Sequence, residues 1–490
     1  MKRTLSIFLF ILLGTASLLA QDKVVGKVLE LGRTDNRVMQ HADYISNNIG
    51  GRLVGTRSLQ DAESWVAEQF RSWGLEVMVQ EVGEMNVGFE RGPWSGRMLS
   101  EDGMTLHFGT PAYTAGTKGP QKGRVLLEPM SQREFDRIKG ALKGAWVLVE
   151  SGTMNGLAID ASAKADSTRA ALVAQDKAKE AAVPFYRQMV EAGVLGFIRP
   201  SALPMQVLYN RAMCFDLTMD TLPTACDILL DEHQFETVKR KAEDRQDFLL
   251  EFDIRNHFFP GPVKYSNVIG ILRGSKHPDE YVLLGGHLDA YDIATGSVDD
   301  CNGVSVTMEA ARLLAVAGAR PKRSIMFCIW TGEEYGLLGS RYFVEQKTVP
   351  WGKISNYFNR DGGPLACTGI SVPSAMYDDF VKACEPISDY TPGIPFKVEK
   401  RTGEPGERPK SAGGSDHAYF AMNGVPAISF RESDILGYDF NYRDIWHTED
   451  DLFDKLIPQY LEHSAVVNAV VSYGIANLDH LLSREGLYKE

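Results

Sequence analysis

The chain has 490 residues, too many for one hydrophobic core, so two domains or at most three are expected. Its 44% hydrophobic, 24% charged and 10% aromatic content is that of a soluble globular protein and lacks nothing a packed core needs. A net charge of −12 without a basic patch argues against nucleic acid or anionic lipid as a partner.

Residues 1–20, MKRTLSIFLFILLGTASLLA, begin with Lys2 and Arg3, run apolar and end on small residues. This is the form of an export leader, cleaved before Gln21. An uncleaved anchor is the rival reading, but Gly14, Thr15 and Ser17 interrupt a stretch already short for a membrane span. Loss of Lys2 and Arg3 with the leader takes the charge to −14. Six cysteines do not make a disulfide scaffold; Cys214 and Cys226 are near enough in sequence to form one bridge, and Cys301 and Cys328 read as buried thiols.

Helical apolar spacing marks 24–48 and 57–74, where Ala62, Trp65, Val66, Phe70 and Trp73 recur at three and four residues before Gly74. LEVMVQEV then alternates as a strand, and 86–115 reads as strands and loops. From 116 the texture changes to short strands (GRVLLE, GAWVLVE), a helical stretch at 162–182, and QMVEAGVLGFIRPS as helix, stop and strand. Pro260, Gly261 and Pro262 read as a boundary. This organises the chain as a leader (1–20), an N-terminal part of the main domain (21–115), a β-rich middle unit (116–262) and the rest of the main domain (263–490).

From 264 onwards apolar strands alternate with helical segments at 303–317, 334–346 and 374–385, and a last helix covers 457–482. The fold class is therefore α/β, a mostly parallel mixed sheet sandwiched by helices. Ligands in such a sheet gather where strands end. There stand GGHLDAYD with His287 and Asp289, SVDDCNG with Asp299 and Asp300, TGEE with Glu333 and Glu334, FNRDGG with Asp361, and IWHTEDD with His447. Each alone has an ordinary explanation: a structural histidine, an N-cap pair, a solvated face, a turn acid. Together, oxygen and imidazole donors without a required thiolate suit a hydrolytic zinc site, and two ions if one carboxylate bridges.

The ordered set GGHLD, DD-C-NG, TGEEYGLLGS, NRDGG and WHTEDD resembles the co-catalytic zinc exopeptidases, the family of bacterial leucyl aminopeptidases, glutamate carboxypeptidase II and carboxypeptidase Q. IGGRLVGTRSLQDAESWVAEQF is similar to that family's N-terminal helices, and the middle unit to the protease-associated domain of several members, a layout most like the carboxypeptidase Q-like ones. The resemblance implies two zinc ions per chain: His287 and Asp361 on one, Glu334 and His447 on the other, and Asp299 bridging, with Asp300 the second choice for that bridge. It implies Asp289 as the acid that orients His287, Glu333 as general base on the attacking water, and a cis Asp299–Asp300 peptide. In GGSDHAYF it places Asp416 and His417 beside the pocket, where either substrate contact or a helix cap is open; Arg408 and Tyr442 are weaker substrate-side choices, and a solvated turn is the rival for Arg408. Ala290, Cys301 and Asn302 depart from the family pattern without removing a ligand.

The expected function is an exported metallo-exopeptidase acting on dipeptides or the ends of short peptides. Short peptides are its expected partners, with no nucleic acid and no membrane beyond export; monomer and homodimer both stay open. The alternatives are a single-zinc glutaminyl cyclase and a non-catalytic binding module of the same fold.

Overall fold

The computed structural model describes residues 23–100, 103–150, 185–206 and 211–489. The leader and the helix expected at 162–182 lie outside these residues. Strands β1 (Glu76–Glu90), β2 (His257–Leu272), β3 (His277–His287), β4 (Arg323–Trp330) and β5 (Ile354–Asn359) make one sheet in the order β1-β2-β4-β3-β5. The β1–β2 and β2–β4 pairs are antiparallel, and the β4–β3 and β3–β5 pairs parallel. The sheet is mixed, and the parallel half is the half that matters for the site. Because β3, β4 and β5 run the same way, the loops after His287, Trp330 and Asn359 all emerge at one edge.

β4 is buried along its whole length and alternates between two cores. Ile325, Phe327 and Ile329 pack with α2 (Asn302–Val316) and α5 (Pro458–Ala476), while Met326, Cys328 and Trp330 pack with α3 (Leu338–Glu345) and α4 (His417–Met422). A strand covered on both faces carries apolar side chains on both, which is why residues 325–330, IMFCIW, show no polar alternation. The buried Arg323 and Ser324 at the strand's start are paired with Glu280 and the Pro278 carbonyl. α1 (Arg57–Ser72) begins where the Thr56 side chain accepts from Leu59 N–H at 3.2 Å, and it buries Leu59, Ala62, Val66 and Phe70.

Glu90 pairs with His257, so residues 91–256 leave and re-enter the main sheet at one end of the β1–β2 ladder. They form an antiparallel sheet (Trp94–Leu99, Met104–Thr105, Gln121–Gly123, Leu249–Ile254) and a second sheet whose Val125–Leu127, Trp146–Leu148, Gly196–Ser201 and Cys226–Asp231 strands are parallel. Trp146, Leu148, Phe235, Leu250 and Phe252 join the two in a core of their own. The middle segment therefore takes in strands upstream of residue 116. Pro260-Gly261-Pro262 is not a break but lies inside β2. Pro260 stands opposite Val87, and Gly261 and Pro262 fall in the register shift between Met85 and Val87, where the ladder has no partner for them and a proline without an N–H is tolerated. Cys214 and Cys226 are not joined: the former sits in the main core and the latter in the middle segment's core, and all six cysteines are buried without a disulfide.

Glu63 on α1 is 8% exposed and accepts from Ser266 N–H at 2.8 Å and Thr331 Oγ1–H at 3.4 Å. Burial pushes its pKa from 4.5 to about 8 against the pull of those two bonds. The folded state thus holds this proton more tightly than the unfolded chain, so its stabilising share is full below about pH 4.5 and is lost as pH rises through about 8. Glu63→Gln keeps the acceptor and drops the charge. Urea unfolding at about pH 5 and about pH 9 should show wild type losing a few kcal/mol more than the variant between the two; equal losses would contradict this account.

Candidate metal centre

His287 closes β3. Its Nδ1 lies 2.9 Å from the Asp289 main-chain oxygen, which makes Nδ1–H the donor and turns Nε2 inward. Nε2 stands 3.1 Å from Asp299 Oδ1 and 3.8 Å from Asp361 Oδ1, buried and without a hydrogen-bond partner. His447 Nε2 stands 3.2 Å from Asp299 Oδ2 and 3.1 Å from Glu334 Oε2. Asp299 therefore offers one oxygen to each imidazole. His287, Asp299 and Asp361 form one group and Asp299, Glu334 and His447 a second, with ligand atoms in each within 4.8 Å of one another. The rings of Tyr291 and Trp446 flank His447 at 4.3 and 4.0 Å between centroids.

The local sequence explains this convergence. After β4 the chain turns through Gly332 at φ 68°, Gly336 at φ 105° and Leu337 at φ 60°, so α3 starts only at Leu338 and Glu333 and Glu334 stay on the turn. A Cβ at Gly339 would sit 2.1 Å from Asn267 Oδ1, so only glycine lets that turn close against β2. Asp300, second choice for the bridge, is turned to other work: it accepts from His287 N–H at 3.2 Å, Gly303 N–H at 3.1 Å and Asn302 Nδ2 at 3.2 Å, tying the end of β3 to the start of α2. The Asp299–Asp300 peptide is cis.

Asp289 differs from expectation. Its carboxylate is 3.8 Å from His287 Nδ1 and instead accepts the main-chain N–H groups of Glu333 at 3.0 Å and Glu334 at 3.1 Å. The main-chain carbonyl of the same residue orients the histidine, so Asp289 couples the β3 and β4 loops. Two further residues escaped the sequence reading. Arg52 is fully buried and donates to the carbonyls of Leu288, Gly50, Thr295 and Gly296 at 2.6–3.0 Å. Asp451 accepts from Val298 N–H at 2.6 Å and Asp299 N–H at 3.2 Å, which aims Asp299. The one cue was an arginine set in the apolar, glycine-rich IGGRLVG.

Of the substrate-side choices, Tyr442 lies against Gly363, two residues past Asp361, and the acids Asp299 and Asp361 add to burial in holding its hydroxyl protonated. Asp416 is buried and does not cap α4; burial pushes it up to about 7, with His287 and Ser340 opposing. His417 is half-buried, its pKa lowered by burial against the pull of Asp361. Arg408 is not brought to the centre: it is exposed, beside Gly424.

Burial opposes charge on His447, yet Glu334 and Asp299 raise it to about 9. Burial likewise lifts Glu334 to about 7 against His447, while the two imidazoles hold Asp299 below the ordinary carboxylate range despite its burial. Protons and cations thus compete for the same side chains. Two buried carboxylates, Asp299 and Glu334, and the half-buried Asp361, set around two imidazoles of which His287 Nε2 makes no hydrogen bond, call for a cation, and mixed oxygen and imidazole donors fit zinc.

An α/β sandwich that gathers such donors at the ends of its parallel strands has the build of a hydrolytic metalloenzyme. Residues 267–472 match the model of peptidase family M28. Mouse (Mus musculus) carboxypeptidase Q is 23% identical over 472 residues, covering 94% of this chain and 90% of that protein. Among solved structures, a peptidase M28 precursor from Shewanella amazonensis superposes with a TM-score of 0.59 at 19% identity, over 95% of this chain and 98% of that one. A zinc aminopeptidase from Bacillus subtilis does so with a TM-score of 0.55 at 17% identity, over 92% and 97%. The chain is a zinc metallopeptidase whose residues 267–472 are similar to peptidase family M28.

Proposed function

We propose that the protein is an exported di-zinc exopeptidase that hydrolyses dipeptides or the terminal residues of short peptides. The observation that carries the two-ion reading is Asp299, whose two oxygens each face a different imidazole. His287 and Asp361 would hold one ion, Glu334 and His447 the other, with Asp299 shared. Zinc, when bound, supplies a Lewis acid for the peptide carbonyl and lowers the pKa of water.

Glu333 belongs to neither group, and its turn is held by Asp289, so it is placed to take the proton of the attacking water and return it to the leaving amine. Tyr442, beside Gly363, can donate to the oxygen on which charge develops. The leader at 1–20 supports export. The similarity to carboxypeptidase Q over most of both chains supports action on peptides with free ends.

Product analysis by mass spectrometry tests this on dipeptides and tetrapeptides offered free, N-acetylated and C-amidated, with zinc supplied. Cleavage lost on blocking either end, with tetrapeptides untouched, is the expected dipeptidase result. Loss on acetylation alone makes it an aminopeptidase, and on amidation alone a carboxypeptidase. No cleavage of any peptide would overturn the proposal.

A further inference from the structure

We infer that Glu449 is a positioning residue for His447, fastening the loop that carries this side chain to the middle segment of the chain. His447 lies at φ 56°, in the left-handed region that a residue with a side chain rarely adopts, and the loop around it needs support. Part of that support is local: Trp446 N–H donates to Tyr442 O at 2.8 Å and Thr448 N–H to Ile445 O at 3.0 Å. The rest comes from far away in sequence. Gln206 and Thr448 form an isolated antiparallel bridge, and Gln206 Nε2 donates to Trp446 O at 3.3 Å.

Glu449 is the centre of this contact. Its N–H donates to Met205 O at 3.0 Å, and its Oε1 accepts from Met205 N–H at 2.9 Å, so one residue closes both hydrogen bonds of a strand-like pair. Its Oε2 lies 2.7 Å from His107 Nε2, on a separate piece of the middle segment. Beneath them Met205 packs with Leu229 and Ile293. On the opposite side of the same loop, Asp451 holds the main chain at Val298 and Asp299. Residues 446–451 therefore join the His447 side of the centre to the middle segment through Glu449 and to the shared acid through Asp451. Removing the Glu449 carboxylate leaves Met205 N–H unpaired and frees the loop on one side, without touching His287 or Asp361.

The inference rests on the two-ion reading above. Wild type, Glu449→Ala and Glu449→Gln would be loaded with zinc and titrated with a chromophoric chelator, with thermal unfolding of the metal-free chains alongside. Glu449→Ala should weaken one of two ions by about 10–100-fold and leave the other at wild-type affinity. Glu449→Gln, which keeps an oxygen for Met205 N–H, should restore most of it. His107→Ala, at an exposed partner, should shift the same ion in the same direction but less, and it serves if Glu449→Ala does not fold. Two ions of wild-type affinity in Glu449→Ala, or equal weakening of both, would overturn the inference alone. A wild-type chain that holds fewer than two ions would overturn the two-ion reading and this inference with it.

Discussion

Glu333→Gln should lower turnover about 10³-fold, within the range that general-base groups contribute, while zinc content stays at the wild-type level. The two parts of that expectation separate Glu333 from its neighbour. Both residues donate their main-chain N–H groups to the Asp289 carboxylate, so the turn is held irrespective of either side chain. Only the Glu334 carboxylate faces His447. Burial, with Asp361, Glu334 and Asp416 nearby, raises the pKa of Glu333 against the pull of His287, which favours uptake of a proton there. Glutamine matches the shape and cannot take the proton. Turnover within a factor of about three of wild type would remove Glu333 from the chemistry, whereas loss of zinc would move it among the ligands.

Asp299→Ala should cost more. This acid sends one oxygen towards His287 and the other towards His447, and no other side chain belongs to both groups. Its removal leaves each imidazole with a single carboxylate, Asp361 or Glu334, too few protein donors for a catalytic zinc site. Zinc content should fall from two ions towards none, and activity by more than about 10⁴-fold. His447→Ala, which touches one group only, should lose a single ion, so elemental analysis of the two variants side by side reads out the sharing. Retention of both ions in Asp299→Ala would dismiss the bridge. Asp300→Ala is the natural contrast: Asp300 binds the main chain at His287 and Gly303, so its loss should appear first in thermal stability.

His287, Glu334 and Asp361 were legible because each stands at or just past the end of an apolar strand, and parallel strands put such ends on one edge, whereas Asp299 precedes α2 and His447 follows the short helix Tyr442–Ile445. The sandwich was legible from the same strands, since IMFCIW at 325–330 has no polar face and must be covered twice. The chain's own order of residues thus determined the α/β class, α1 with its Thr56 cap, and the set His287, Asp299, Glu334, Asp361 and His447 as side chains that could hold a metal ion. Tertiary structure alone decided how they are held. Arg52 reaches carbonyls more than 230 residues away, Asp451 aims Asp299 from 152 residues away, and Asp289 serves a turn 44 residues on rather than the histidine beside it. The position of Pro260-Gly261-Pro262 inside β2 and the separation of Cys214 from Cys226 belong to the same group. The physical reason is common to all of them. Strand ends and caps are specified by neighbours along the chain, whereas a buried hydrogen bond to a distant main-chain group depends on packing and leaves no periodic mark in the sequence.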